Sequence, residues 1–143
     1  MMRRTLIALF LATLFAAAPP AGAESKDGWP TTPAGTMARG WVDAFSTSEV
    51  AMKEFNARNL APKSLEKKGM EERVVAYRKL KEKYGKLMLG SVVKSEPNEL
   101  TVKLIASDAS SASWVFTVQK EAPYKLISVG MLEQRSHFGG FHH

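Results

Sequence analysis

Apolar residues follow three successive patterns along this chain, and each pattern predicts a different kind of segment. Residues 5–18 are almost continuously apolar, residues 33–84 carry apolar positions at helical spacing, and residues 86–132 alternate between apolar and polar positions. Helical spacing places apolar side chains on one face of a helix, whereas alternation places them on one face of a strand. The order therefore predicts helices followed by strands in one α+β domain.

The first pattern is typical of a secretory signal peptide. Arg3 and Arg4 make a basic start, the apolar run follows, and Ala-Gly-Ala at 21–23 supplies a small-residue cleavage site. The run is shorter than the roughly 20 residues that cross a bilayer as a helix, so an uncleaved membrane anchor is the less favoured alternative. We predict that residues 1–23 are removed during export from a bacterium, to the periplasm or the medium, and that residues 24–32 form a flexible lead.

Three helices are predicted between residues 33 and 84. The first begins at Thr32-Pro33, because proline is tolerated in the first helical turn. The second runs from about 49 to 59, with Ser48 as its N-cap. The third and longest runs from Glu71 to Tyr84. A short irregular stretch begins at Pro62 and separates the last two.

Four strands are predicted after the helices, over 86–96, 100–106, 114–118 and 124–132. The short turns between them favour antiparallel hairpins. The two middle strands carry bulky apolar residues at even positions, which we expect to face the helices: Leu100, Val102, Leu104, Trp114, Phe116 and Val118. The last strand is apolar on both faces, which predicts a central or doubly covered strand. The expected fold is three N-terminal helices packed on a curved four-stranded antiparallel sheet.

Several short motifs in residues 32–133 match one known domain type. They are Thr32-Pro33-Ala34-Gly35, Trp41-Val42-Asp43-Ala44-Phe45, Glu71-Glu72-Arg73 with Tyr77-Arg78, Ser95 to Leu100, and Pro123-Tyr124-Lys125-Leu126. The pattern resembles a nuclear transport factor 2-like (cystatin-like) domain, of the subgroup found alone after a signal peptide or fused to secreted bacterial serine hydrolases. This resemblance implies a cone-shaped fold with an open mouth, and a domain spanning residues 33–134.

The resemblance leaves several functions open, because this fold serves isomerases, polyketide cyclases, transport factors and non-catalytic accessory domains. We favour a non-catalytic exported accessory or binding domain that contacts a partner protein, such as an envelope serine hydrolase, or a small apolar ligand. One alternative is an isomerase or cyclase that uses the cone pocket. Another is metal binding through His137, His142 and His143 in the Gly-, Phe- and His-rich tail, 135–143, which is predicted to be mobile.

The candidate ligand pocket consists of the largest side chains predicted to face inward. These are Trp41, Tyr77, Trp114 and Phe116. They could line a cavity at the mouth of the cone, or they could simply fill the core of a domain that has no disulfide. We favour the filled core, and a cavity above roughly 300 Å³, the lower end for ligand pockets, would contradict it.

Catalytic residues are not predicted. An isomerase of this fold needs a carboxylate base in an apolar pocket, and the one acid within an aromatic helix segment, Asp43, points off the apolar face. Ser64 and Lys67 have Ser-x-x-Lys spacing, but no oxyanion motif accompanies them. The chain has no cysteine, which excludes thiol chemistry and thiolate metal sites. No cofactor is implied.

Charge and surface pattern suggest partners only weakly. The formal net charge of the whole chain is +6. The longest helix is rich in basic residues, which indicates a solvated face or a docking face for an acidic partner: Arg73, Arg78, Lys79, Lys81, Lys83 and Lys86. No basic stripe interleaved with aromatic residues predicts nucleic-acid binding. The outer sheet face would carry Thr101, Lys103, Val115 and Thr117, where a homodimer could form.

Overall fold

The computed structural model describes residues 27–132 as four helices followed by four strands. The helices are α1 (Pro33–Thr47), α2 (Glu49–Asn59), α3 (Pro62–Lys67) and α4 (Met70–Tyr84), and the strands are β1 (Leu87–Ser95), β2 (Glu99–Ala106), β3 (Ser111–Val118) and β4 (Leu126–Met131). The strands form one antiparallel sheet in the order β1-β2-β3-β4, which does not close into a barrel. The predicted α+β class is confirmed. The predicted signal peptide, residues 24–26 of the lead and the tail lie outside the described residues.

Side-chain caps fix where the first two helices begin. The Thr32 hydroxyl oxygen accepts a hydrogen bond from the Gly35 amide at 3.0 Å, and the Ser48 hydroxyl oxygen accepts one from the Ala51 amide at 3.0 Å. Each cap satisfies one amide that has no partner within its helix. Both predicted starts are confirmed, and α2 has the predicted bounds.

The stretch that begins at Pro62 is a six-residue helix, α3, where the sequence predicted irregular structure. Proline lies in its first turn, where a missing N–H is tolerated. A helix of fewer than two turns is too short to show a hydrophobic period, which is why the pattern did not reveal it.

Strand β4 lies at the edge of the sheet, so the prediction of a central or doubly covered strand is wrong. Its inner face is buried at Leu126, but Ile127 is 42% exposed and Met131 is 40% exposed. Helix α3 meets the start of its outer edge. The Ala61 amide donates to the Leu126 carbonyl at 2.8 Å, and the Ser64 hydroxyl donates to the Ile127 carbonyl at 2.7 Å. A short helix thus covers part of an edge that would otherwise offer unpaired backbone groups.

The core lies between α1 and the inner face of the sheet. The even-numbered residues of β2 and β3 are all buried, as their alternation predicted: Leu100, Val102, Leu104, Trp114, Phe116 and Val118. Trp29, which the sequence placed in a flexible lead, is only 6% exposed and belongs to the same core. Close by, Asp27 and Arg39 form an ion pair at 2.7 Å. Packing of the domain therefore begins before residue 33, because a buried indole holds this segment against the core.

The carbonyl group of Phe45 links the first helix to the last. The chain bends at Ser48, so this carbonyl lies in the final turn of α1, where carbonyls lack helical partners. It accepts hydrogen bonds from the Tyr77 hydroxyl at 3.2 Å and from Lys81 Nζ at 3.0 Å. Burial raises the pKa of Tyr77 and lowers the pKa of Lys81. The free end of α1 thus holds α4 in place through two directional contacts.

We expect Tyr77→Phe to lower the free energy of unfolding by about 0.5–1.5 kcal/mol, the usual net contribution of one hydrogen bond. Lys81 would still serve the Phe45 carbonyl, so no buried acceptor is left without a donor. Tyr84→Phe is the matched control, because the Tyr84 hydroxyl contacts only the weak acceptor Met131 Sδ at 3.3 Å and is exposed. Urea denaturation measures both variants, and equal losses would contradict the account.

A close approach of two backbone segments requires glycine at position 35. A Cβ atom there would lie 2.1 Å from the carbonyl oxygen of Pro30, and backbone cannot move away as a side chain can. We expect Gly35→Ala to destabilise the protein by about 1–3 kcal/mol despite the better helix propensity of alanine. Gly69→Ala is the control, since a Cβ at Gly69 meets nothing within 4 Å. Thermal unfolding of both variants checks this, and a stable Gly35→Ala protein would contradict it.

Candidate functional site

The four aromatic residues predicted to face inward come together in one cluster. The Trp41 ring lies at the centre, with its centroid 5.6 Å from Trp114 and 5.5 Å from Phe116. Phe45 stacks on Trp41 at 5.2 Å and meets the Tyr77 ring edge-on at 5.3 Å. These separations are in the favourable range for aromatic pairs. The cluster joins α1, α4 and β3, and Phe45 extends it beyond the predicted set.

A cavity of about 140 Å³ lies beside this cluster. Of the predicted pocket residues, Trp41, Tyr77 and Trp114 line it, whereas Phe116 is fully buried in the core and does not. The cavity is smaller than the roughly 300 Å³ expected of a typical ligand pocket. It is close to the roughly 150 Å³ of an engineered apolar cavity that takes up benzene. The space between α4 and the sheet is therefore largely filled, but a benzene-sized cavity remains.

Helix α4 supplies one wall of the cavity and also explains why it is open. Arg73, Ala76, Tyr77 and Leu80 all line it, and their i, i+3, i+4, i+7 spacing places them on one helical face. Ala76 ends at its Cβ atom, so this face is recessed between longer neighbours. Strand β4 provides the facing wall through Leu126, Ser128 and Val129, and α2 contributes Met52 and Asn56.

Four polar side chains line the cavity and were not among the predicted pocket residues: Asn56, Arg73, Lys68 and Ser128. Asn56 is only 7% exposed, and its side-chain amide makes no hydrogen bond to any residue within 27–132. Leaving a buried polar group without a partner costs about 1–3 kcal/mol. The sequence carried one signal for it, because Asn56 follows Met52 by four residues and so shares the buried face of α2.

Arg73 is the second such side chain, and it lies at the corner between α3 and α4. Its Nε donates to the Lys68 carbonyl at 2.8 Å, and its Nη2 donates to the Ser64 carbonyl at 2.7 Å. Burial lowers the pKa of Arg73, but an arginine remains charged at neutral pH. Lys68 also lines the cavity. The lining therefore carries two cations and no carboxylate.

None of the three residues weighed as catalytic candidates, Asp43, Ser64 and Lys67, lines the cavity. Asp43 is exposed and does not line the cavity. The Ser64 hydroxyl is committed to the Ile127 carbonyl, and Lys67 is exposed. The cavity thus lacks the carboxylate base that isomerase chemistry would need.

The basic residues of α4 do not act as one surface, so a purely solvated or docking face is the wrong description for several of them. Arg73 and Lys81 donate to backbone carbonyls inside the domain. Arg78 forms a two-point ion pair with Glu49 of α2 at 2.7 and 2.9 Å. These contacts hold α4 to α1, α2 and α3.

Other predicted sites are placed only in part. The three histidines lie outside the described residues, and within 27–132 no three histidine or acidic residues gather as metal ligands. Thr101 of β2 lies opposite Val115 of β3, as expected for two residues on the same face of the sheet. A homodimer there stays a prediction. In the part of the chain that the structure describes, no helix has the length and apolar character to cross a bilayer.

Comparison with known proteins identifies no relative: no family model, no curated protein and no solved structure matches this chain. The resemblance to a nuclear transport factor 2-like domain therefore rests on the sequence motifs alone.

The ion pair between Glu49 and Arg78 predicts how stability depends on pH. The hydrogen bond from Arg78 lowers the pKa of Glu49 below its ordinary value of 4.5. The contribution of this ion pair to stability is then fully present above pH 4.5, and it is lost as the pH falls through the lower pKa that Glu49 has in the folded protein. We expect the urea midpoint of Glu49→Gln to fall less steeply on acidification than that of the unmodified protein.

The control for this experiment is Glu54→Gln. Glu54 is exposed on the same helix and has no ion pair within the described residues. This variant should keep the steep decline on acidification. An unchanged decline in Glu49→Gln would show that the pair does not contribute.

Proposed function

We propose that this chain is a non-catalytic, exported binding domain that holds a small apolar group in the cavity between α4 and β4. The observation that carries the proposal is a benzene-sized space walled by Trp41, Phe45, Trp114 and Leu126. The cavity is partly open, since the exposed residues Lys68 and Ser128 line it, and its apolar walls lack dispersion contacts on the side that faces the empty space. An apolar occupant would restore those contacts.

Three features support binding over catalysis. The lining holds no carboxylate that could act as a base. The Tyr77 hydroxyl is engaged with the Phe45 carbonyl, and burial raises its pKa, so it stays neutral and donates to the protein itself. Four of the lining residues carry large, rigid aromatic rings, which provide contact area at little cost in conformational entropy. Kinship with nuclear transport factor 2-like accessory domains remains part of this proposal.

Filling the cavity tests the proposal. Ala76→Leu adds three carbon atoms to the recessed face of α4 and should abolish binding of toluene, the probe. Ala57→Leu is the matched control, because Ala57 is exposed on α2 and lies outside the cavity. Trp41 and Trp114 line the cavity, so their fluorescence reports occupancy directly.

We expect saturable fluorescence changes with toluene in the unmodified protein and in Ala57→Leu, and none in Ala76→Leu. Because leucine fills the void, Ala76→Leu should also be at least as resistant to urea as the unmodified protein. The proposal fails if toluene leaves the fluorescence unchanged, or if Ala76→Leu binds as well as Ala57→Leu.

A further inference from the structure

The side-chain amide of Asn56 is buried at the cavity with no protein partner. Position 56 lies on the inner face of α2, and the amide makes no hydrogen bond to any residue of the described chain. Buried polar side chains nearly always find a partner. A leucine at this position would pack against the same neighbours without the penalty of an unpaired amide. The amide is therefore free to hydrogen-bond a group that enters the cavity.

The guanidinium of Arg73 is held rigidly at the same cavity. Two carbonyls of the α3–α4 corner fix Nε and Nη2, and no residue within 27–132 forms a hydrogen bond with Nη1. No carboxylate within residues 27–132 forms an ion pair with it. An arginine fixed in this way is prepared for an anion, because little side-chain freedom is lost when one binds.

The surrounding charges favour an anion as well. Lys68 is the second cation in the lining. Two acids lie in this region, and both also have partners of their own: Glu72, whose charge acts on Arg73, accepts from the Gly69 amide at 3.3 Å, and Glu49 is paired with Arg78. Asn56 and Arg73 also line a second, shallow recess between α2 and α4, together with the oppositely charged Glu49 and Lys53.

We infer that the cavity binds a small monocarboxylate with an apolar body the size of a benzene ring. The apolar body lies among the aromatic walls, and the carboxylate accepts hydrogen bonds from the Asn56 side-chain nitrogen and the Arg73 guanidinium, with Lys68 nearby. Hydrogen bonds from a guanidinium to a carboxylate are among the strongest in proteins. This inference rests on the proposed function, because it assigns the head group of the ligand whose apolar part the cavity receives.

The first experiment compares benzoate with benzamide, which has the same shape and no charge. Titration followed by tryptophan fluorescence should show benzoate binding about tenfold more tightly, the ratio expected for one charge-assisted contact. If toluene binds but benzoate is no better than benzamide, the inference is overturned and the proposed function stands. If none of the three binds, both are overturned.

The second experiment separates a ligand-binding role of Asn56 from a structural one. Asn56→Leu removes no hydrogen bond within the described chain, so its melting temperature should not fall, while benzoate binding weakens about tenfold and toluene binding persists. A lower melting temperature, or a failure to fold, would show that the amide serves the fold and would overturn the inference. In the NMR spectrum, the Asn56 side-chain NH₂ signals, identified by their loss in Asn56→Leu, should shift with benzoate.

The third experiment uses two neighbouring exposed lysines. Lys68→Gln should weaken benzoate binding several-fold and leave toluene binding unchanged, because only the charge at the cavity is lost. Lys67→Gln is the matched control, since Lys67 does not line the cavity. Equal benzoate affinity in these two variants would overturn the inference.

Discussion

The carbonyl group of Phe45 is the contact on which the arrangement of the helices depends. It lies in the last turn of α1 and accepts hydrogen bonds from two side chains of α4, the Tyr77 hydroxyl and Lys81 Nζ. Apolar contacts alone would allow α4 to slide or sink toward the sheet, whereas two hydrogen bonds to one acceptor fix its distance and rotation. In a chain without cysteine no disulfide can do this.

The cavity follows from how α4 is supported. Large side chains support the helix at two points: the Tyr84 ring centroid lies 6.1 Å from that of Trp114 on the sheet, and the Tyr77 ring centroid lies 5.3 Å from that of Phe45 on α1. Between these supports Ala76 is too short to reach β4. The space left over is bounded by aromatic rings on one side and by Asn56 and Arg73 on the other. A site with an apolar body and a cationic end thus arises from the same contacts that position the helix.

Features that depend on neighbouring residues could be predicted from the sequence. The caps at Thr32 and Ser48 depend on hydrogen bonds between residues three apart in the sequence. The residues of β2 and β3 that face the core follow from the two-residue period of a strand. The aromatic cluster also follows, because large apolar side chains on the inward faces of a small domain must meet. The cavity beside the cluster could not be predicted, because it depends on the exact distance between α4 and the sheet.

Features that depend on distant contacts could not be predicted. The apolar character of β4 indicated cover on both sides, but the order of strands in a sheet is not encoded in any one strand. Arg73 looked like one of several surface cations, yet the bend between α3 and α4 turns it inward to two carbonyls. The only sequence signal for Asn56 was its position four residues after Met52, and an asparagine on a helix is usually solvated.

The central claim is that α4, anchored on α1, leaves a permanent benzene-sized cavity. A crystal structure of the protein under xenon pressure tests it most directly, since xenon occupies apolar cavities of this size. The account predicts a xenon atom between Trp41, Trp114 and Leu126, with the Tyr77 hydroxyl still donating to the Phe45 carbonyl. A closed space without xenon, with α4 packed directly on β4, would contradict it.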